Sequence, residues 1–375
     1  MSPKRANGEG SICRRKDGIW QGAVTMADGK RKYLYGSSRE EVRKKVGANV
    51  RAVETGTMSD SRGLTVGEFL DQWLEDVVRP NVRPWTYAGY EVHVRLHLKP
   101  TIGRVQLDKL TPLNVQQLLN ARVDAGLKPK SVRYIRGTLR TALNQAVRWG
   151  LISRNAAALV DSPRVEHYEI QPFTPDEARA FLAAMKGDRL EALYSVALTM
   201  GLRQGEALGL RWQEVNLDLG YLRVSKQLQR FDGQTQLVEP KTSRSRRTIA
   251  MPQSIVAALK DHRQRQLAEK GLAGTRWEEN GLVFTTPLGR PVDATRVSKE
   301  FHDHLKRAGL PQRRFHDLRH SCATLLLVQG VSPRVVMDVL GHSQIAMTMN
   351  TYSHVIPELR RQAADRMDEL LHDRD

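Results

Sequence analysis

The sequence predicts an α+β, multidomain protein. Its parts are a small three-stranded sheet plus helix at the N-terminus, a helical middle region, and a mainly helical C-terminal region carrying a small antiparallel sheet. Three observations lead there. Short alternating segments broken by Asp-Gly turn signals precede a capped basic helix within the first 60 residues. Apolar residues then recur at helical spacing. One strand-rich patch, residues 221–251, interrupts an otherwise helical second half.

Taken in order, residues 10–15, 19–26 and 31–35 are strand candidates, with turns at Asp17-Gly18 and Asp28-Gly29. Ser38-x-x-Glu41 is a capping box that opens a basic helix through about Val53. Such a sheet presents Arg14, Arg15, Lys30 and Lys32 either to a DNA groove or to solvent. A Gly/Thr/Ser-rich linker, residues 54–63, leads into the helical region. Thr65 starts a helix carrying Val66, Phe69, Leu70, Trp73 and Leu74, a second starts near Thr86, and Thr111-Pro112 starts a third. Ser131 caps a fourth with Val132, Ile135, Leu139, Leu143 and Ala146 inward. Its Arg133, Arg136 and Arg140 form a stripe that either tracks phosphates or is an ordinary solvated face. Residues 154–172 read as a linker, and Thr174-Pro175-Asp176-Glu177 begins the last region. The expected domains are therefore 1–60, 64–155 and 170–375.

Charge narrows the partner. The chain has 59 Lys and Arg against 41 Asp and Glu, a net +18. Residues 1–60 contribute +6 (13 basic, 7 acidic) and residues 61–160 contribute +8 (15 and 7), so the first 160 residues carry most of the excess. An extended anionic partner fits this balance. A spanning helix needs about 18 consecutive apolar residues, and no stretch comes near that. The start Met1-Ser2-Pro3-Lys4-Arg5 has no apolar signal core behind it. Cys13 and Cys322 are far apart, so neither a disulfide framework nor a structural zinc site is implied. The expectation is a cytoplasmic DNA- or RNA-binding protein, with no membrane association.

Three clusters carry the chemistry. Gly201-Leu202-Arg203-Gln204-Gly205-Glu206 closes an apolar helix, and Gly201 suits a C-cap, so Arg203 emerges from a turn. His316-Asp317-Leu318-Arg319-His320, if helical, puts His316, Arg319 and His320 on one face. Leu340-Gly341-His342 is followed by Tyr352 ten residues after the histidine. Each has a plain alternative: a surface arginine, a histidine pair that lacks a third metal ligand, a packed tyrosine. Together they fit phosphoryl transfer. Two arginines can hold a phosphodiester's nonbridging oxygens bidentately, histidines move protons, and a tyrosine hydroxyl can attack phosphorus. This needs neither metal nor cofactor.

The order Gly-Leu-Arg-x-Gly-Glu, His-x-Leu-Arg-His, Leu-Gly-His and Tyr resembles the tyrosine recombinases, the phage integrase family, over most of residues 170–360. Residues 64–155 resemble its helical core-binding (SAM-like) domain, and 1–60 an arm-type DNA-binding domain of prophage integrases from high-GC bacteria. The resemblance implies that Arg203 and Arg319 clamp the scissile phosphate, His316 and His342 support the transition state, and Tyr352 is the nucleophile. It also implies an orienting role for Glu206 and a general-acid role for Lys241. Lys241 sits among Arg244, Arg246 and Arg247 in a run whose alternative role is nonspecific phosphate contact. Neighbouring guanidiniums would lower the lysine pKa and ease proton transfer.

The implied reaction is a 3′-phosphotyrosyl link with release of a 5′-hydroxyl, then attack by a 5′-hydroxyl from a partner strand. Implied partners are double-stranded DNA attachment sites, a homotetramer in synapsis, a DNA-bending host factor and an excisionase, and the implied location is the bacterial nucleoid. Ile356, Leu359, Ala363, Met367 and Leu370 form an amphipathic stripe that docks either on a neighbour or on its own domain. The rivals are a type IB topoisomerase, a DNA-binding regulator without chemistry, and a metal-dependent nuclease. The N-terminal module and Leu-Gly-His disfavour the first, the ordered motif set the second, and the scarcity of nearby carboxylates the third.

Overall fold

The computed structural model describes residues 11–25, 31–54, 63–165, 170–231, 233–240 and 245–341, with residues 361, 364, 365, 367, 368 and 371. It divides into two compact units, Met1–His167 and Tyr168–Asp375.

In the first unit, β1 (Ser11–Arg14), β2 (Trp20–Thr25) and β3 (Arg31–Gly36) form an antiparallel sheet in the order β1-β2-β3. The Asp17-Gly18 turn closes β1 onto β2, with the Gly18 N–H donating to the Arg15 carbonyl at 3.0 Å. The Asp28-Gly29 turn lies outside the described residues. Helix α1 (Arg39–Glu54) covers one face, where Val24, Val42 and Val46 are buried with Ile12, Trp20 and Leu34 around them. Ser38 caps α1 as expected, accepting from the Glu41 N–H at 3.2 Å. The reciprocal bond is displaced by one residue: the Glu41 carboxylate accepts from the N–H of Ser37 at 2.9 Å.

The helical region has two helices interrupted by π turns. α2 (Val66–Trp73) runs through a π turn, Leu74–Val78, into α3 (Arg79–Asn81). α4 (Pro84–His93) repeats the device through Val94–Leu98 into α5 (Lys99–Ile102). In both, a proline (Pro80, Pro100) is the second residue after the π turn. Proline lacks an N–H and its ring clashes with the carbonyl four residues back. The turn widens instead, and the N–H groups of Arg79 and Lys99 bond five residues back, to the carbonyls of Leu74 and Val94. α6 (Pro112–Asp124) starts from a Thr111–Asn114 capping box. α7 (Pro129–Arg148) starts at Pro129 with Lys128 at its cap, so Ser131 falls inside the first turn. Proline at the first helical position outcompetes a serine two residues on. Likewise, α4 starts at Pro84 and not at Thr86.

Val132, Ile135, Leu139, Leu143 and Ala146 are buried as expected and join Phe69, Trp73 and Leu98 in one core. Ala156, Ala157 and Val160 belong to that core too, so the helical body reaches past the expected linker start. Small side chains bury well there because Asn155 caps the 3₁₀ turn Ala156–Leu159 and bonds the Arg140 carbonyl on α7.

In the second unit, α8 (Pro175–Ala184) opens with the Thr174–Glu177 capping box. α9 (Glu191–Met200) is buried around most of its circumference, as befits a central helix. Tyr194 of α9 meets Phe181 at 5.8 Å, Phe301 at 5.9 Å and Phe315 at 6.2 Å, an aromatic cluster joining α8, α12 (Ala294–Arg307) and α13 (Phe315–Val328) to α9. α10 (Gln204–Leu208), α11 (Gln253–Ala273) and α14 (Pro333–Leu340) complete the helices.

The strand-rich patch opens with two separate strands in place of one continuous run. β5 (Tyr221–Val224) lies between β4 (Val215–Asn216) and β8 (Arg247–Ala250), while β6 (Gln227–Phe231) pairs with β7 (Gln234–Val238). The break follows from α10, which lies against the backbone of β6. A Cβ on Gly209 would stand 2.7 Å from the Leu228 nitrogen and 2.9 Å from the Gln227 carbonyl carbon.

Replacing Gly209 with Ala is therefore expected to lower thermal stability by about 1–3 kcal/mol through forced backbone movement. Gly271 of α11 has open space where an alanine methyl would sit, and Gly271→Ala should stabilise by about 0.5–1 kcal/mol. Melting curves of the two variants against the wild type check both signs.

Candidate active site

α9 ends at Gly201, whose φ of 62° is the left-handed conformation that favours glycine. There is no room for a larger residue at this point. A Cβ would approach Leu340 Cδ2 to 2.5 Å and Cys322 Sγ to 3.2 Å, so the ends of α9 and α14 and the middle of α13 converge here. Arg203 follows at the start of α10. Its side chain is one-third exposed, whereas Glu206, one turn on, is 2% exposed.

Glu206 organises the cations. Its Oε1 accepts from Arg203 Nη1 at 2.6 Å, and its Oε2 accepts from the Arg203 backbone N–H at 3.1 Å and from Arg247 Nη2 at 3.0 Å. Burial works to raise the Glu206 pKa, but Arg247, Arg203 and Arg319 more than offset it and hold the carboxyl below its usual range. The Arg247 side chain, on β8, is 6% exposed and also donates from Nε to the Val339 carbonyl at 2.6 Å. Sequence alone places Arg247 in a cationic run open to nonspecific phosphate contact, whereas its guanidinium is bonded within the protein.

Arg319, 2% exposed, donates from Nη1 to the Gly201 carbonyl at 2.7 Å and from Nη2 to the Leu340 carbonyl at 2.6 Å. Two guanidiniums thus hold the consecutive carbonyls of Val339 and Leu340 at the end of α14, where the helix dipole is negative. α14 then closes on Gly341, again left-handed with φ 67°.

His316 stands on the same face of α13, its ring 5.0 Å from that of His320. Desolvation, then the guanidiniums of Arg319 and Arg203, lower the His316 pKa. Desolvation and His316 lower that of His320 to about 4. Both shifts favour the neutral ring, which can accept a proton or donate one. Asp317 turns away from this face to cap the helix, accepting from the Arg314 N–H at 2.8 Å.

Of the predicted site residues, Arg203, Glu206, His316 and Arg319 come together. Lys241, His342 and Tyr352, with Lys30 and Arg244, lie outside the described residues, as does most of the amphipathic tail. Arg246 is exposed at the entrance to β8. Arg133 and Arg140 are exposed on α7, whereas Arg136 is half-buried and donates to Ser162 Oγ at 3.2 Å, which shortens the expected stripe. In the N-terminal sheet the register pairs Val24 with Lys32 and Trp20 with Arg14, placing both cations on the helix-covered side. The opposite face carries Arg31, Tyr33 and Tyr35, and the Arg15 guanidinium lies 5.6 Å from the Tyr35 ring centroid. Alternation along β3 held this information, but only the register fixes which set faces out.

Among the described residues no group of three or more His, Cys, Asp or Glu side chains is placed to hold a metal ion, and no helix is long and apolar enough to cross a membrane.

Residues 171–358 match the phage integrase family, and residues 65–122 match the phage integrase N-terminal SAM-like domain. The chain is 33% identical to a tyrosine recombinase XerC-like protein of Caldanaerobacter subterraneus subsp. tengcongensis, covering 91% of this chain and 92% of that one. It is 31% identical to an integrase of Saccharopolyspora erythraea over 98% of both chains. A solved structure of the Tn1549 transposon integrase with transposon right end DNA has the same fold, with TM-score 0.69, 24% identity, 81% of this chain covered and 99% of that chain.

The Glu206 carboxyl has a lowered pKa in the folded state, so the stability it contributes is complete above the ordinary carboxylate range and is lost as pH falls through and below it. Melting temperature of the wild type should fall through that window more steeply than that of Glu206→Gln. The variant should also be less stable at pH 7, by about 3–5 kcal/mol, because it leaves buried cations uncompensated.

Proposed function

This chain belongs to the phage integrase family of tyrosine-type site-specific DNA recombinases, which integrate or excise phage and prophage DNA, and on that premise we propose how its own residues carry the reaction. The observation that carries the proposal is the convergence of Arg203, from the turn after α9, with His316 and Arg319 of α13 around the buried Glu206 carboxylate.

Arg203 and Arg319 bind the nonbridging oxygens of the scissile phosphate and stabilise the charge that develops there. Tyr352 Oη attacks phosphorus, forming a 3′-phosphotyrosyl bond as the bond to the 5′ oxygen breaks. Lys241 gives the departing 5′ oxygen its proton. His316 and His342 take up the tyrosine proton and donate to the phosphoryl oxygens, a role suited to the His316 ring, whose pKa desolvation and then Arg319 and Arg203 lower. Because the phosphodiester energy is kept in the covalent link, rejoining by a partner strand's 5′-hydroxyl needs no nucleotide.

Strand exchange between two duplexes breaks four strands, which assigns a homotetramer at synapsis. Residues 170–375 form the proposed catalytic domain and 64–155 the core-binding domain. Residues 1–60 form an arm-type DNA-binding domain, in which Arg15, Arg31, Tyr33 and Tyr35 offer a basic, aromatic sheet face to attachment-site DNA. A reversible transesterification has no inherent direction, so a DNA-bending host factor and an excisionase are proposed to set it. The place of action is the bacterial nucleoid.

The test is a nicked suicide duplex bearing the core site, incubated with the full chain in EDTA without nucleotide. The expected outcome is a covalent protein–DNA adduct, absent in Tyr352→Phe although that variant still binds the duplex. An absolute magnesium requirement, or an adduct persisting in Tyr352→Phe, contradicts the proposal.

A further inference from the structure

We propose that Arg247 is a positioning residue for the recombination chemistry, acting through Glu206 on Arg203 and through the end of α14 on the segment that enters His342; this rests on the catalytic reading above. Arg247 lies on β8, off the face of α13 that carries His316, and its guanidinium is committed to the protein. Nη2 meets Glu206 Oε2 at 3.0 Å, Nε meets the Val339 carbonyl at 2.6 Å, and Nη1 meets the Ser245 carbonyl at 3.1 Å. The three partners belong to three separate segments of the chain. Glu206 is 41 residues away in sequence and Val339 is 92.

Each bond has a consequence for a candidate catalytic group. Fixing Glu206 Oε2 leaves Oε1 to receive Arg203 Nη1 at 2.6 Å, so the rotamer of Arg203 depends on which oxygen Arg247 occupies. Holding the carbonyl of Val339, three residues before His342, fixes the last turn of α14 beside the Leu340 carbonyl held by Arg319. The bond to Ser245 ties β8 to the run that begins at Lys241. A planar fork with donors on three sides can hold all three at once, whereas an ammonium on a flexible stem cannot reproduce that geometry. Arg247→Lys therefore keeps the charge near Glu206 and removes the alignment.

The experiment compares wild type, Arg247→Lys, Glu206→Gln and the double variant as full-length chains. Melting temperature, affinity for a core-site duplex, and the single-turnover rate of adduct formation on saturating suicide substrate are measured at a temperature below every variant's melting transition. Arg247→Lys is expected to bind DNA within about threefold of wild type while cleaving about 100-fold more slowly, the loss typical of a reacting group displaced by about an ångström. The double variant should cleave no more slowly than the worse single variant, because both act on Arg203 through one carboxylate. A wild-type cleavage rate in folded Arg247→Lys overturns the proposal. So does multiplication of the two rate losses in the double variant, or a rate loss matched by an equal loss of DNA affinity. If wild type itself forms no adduct, the catalytic reading fails instead.

Discussion

The structure of the second unit depends on one buried carboxylate. Several guanidiniums cannot share a small volume without a counter-charge, and Glu206 supplies it from a position 2% exposed. It accepts from Arg203 and Arg247 and its charge is further stabilised by Arg319. Burying a carboxylate is unfavourable, and only the surrounding cations make the ionised form the stable one. In return the arginines are held at fixed angles before any phosphate arrives. Preorganised charge of this kind does not have to reorient as the reaction proceeds.

The second constraint is the convergence of helix ends. α9 and α14 both stop in left-handed glycines, Gly201 and Gly341, which turns their last carbonyls toward one region. Arg319 bonds both ends, at Gly201 and Leu340. Those two bonds use two of the five N–H donors of a guanidinium and set the plane in which the others lie. In the proposed reaction the same side chain is thus a structural staple and one arm of the phosphate clamp.

Features read easily from the sequence are those decided within a few residues. Thr65, Thr111 and Thr174 begin helices because each has a side-chain partner three positions on. Gly201 ends α9 because few other residues adopt its φ. His316 and Arg319 share a face because the helix period puts them there. Competing local signals are harder, as Ser131 and Pro129 illustrate, and so is the strand break after Val224, which depends on α10 lying against β6. The positioning role of Arg247 is not legible in the sequence, because its two distant partners, Glu206 and Val339, are 41 and 92 residues away. The outward face of the N-terminal sheet is similarly hidden until the β2–β3 register pairs Val24 with Lys32.

In the proposed reaction the scissile phosphate enters an arrangement of charge that is already built to receive it. The most direct measurement is a crystal structure of the full chain trapped covalently on a suicide duplex. The predicted result is Tyr352 Oη bonded to the 3′ phosphate, with nonbridging oxygens in hydrogen-bond contact with both Arg203 and Arg319 while Glu206 still bridges Arg203 and Arg247. A phosphate joined to another residue, or one lying beyond hydrogen-bond reach of Arg203 or Arg319, would contradict it.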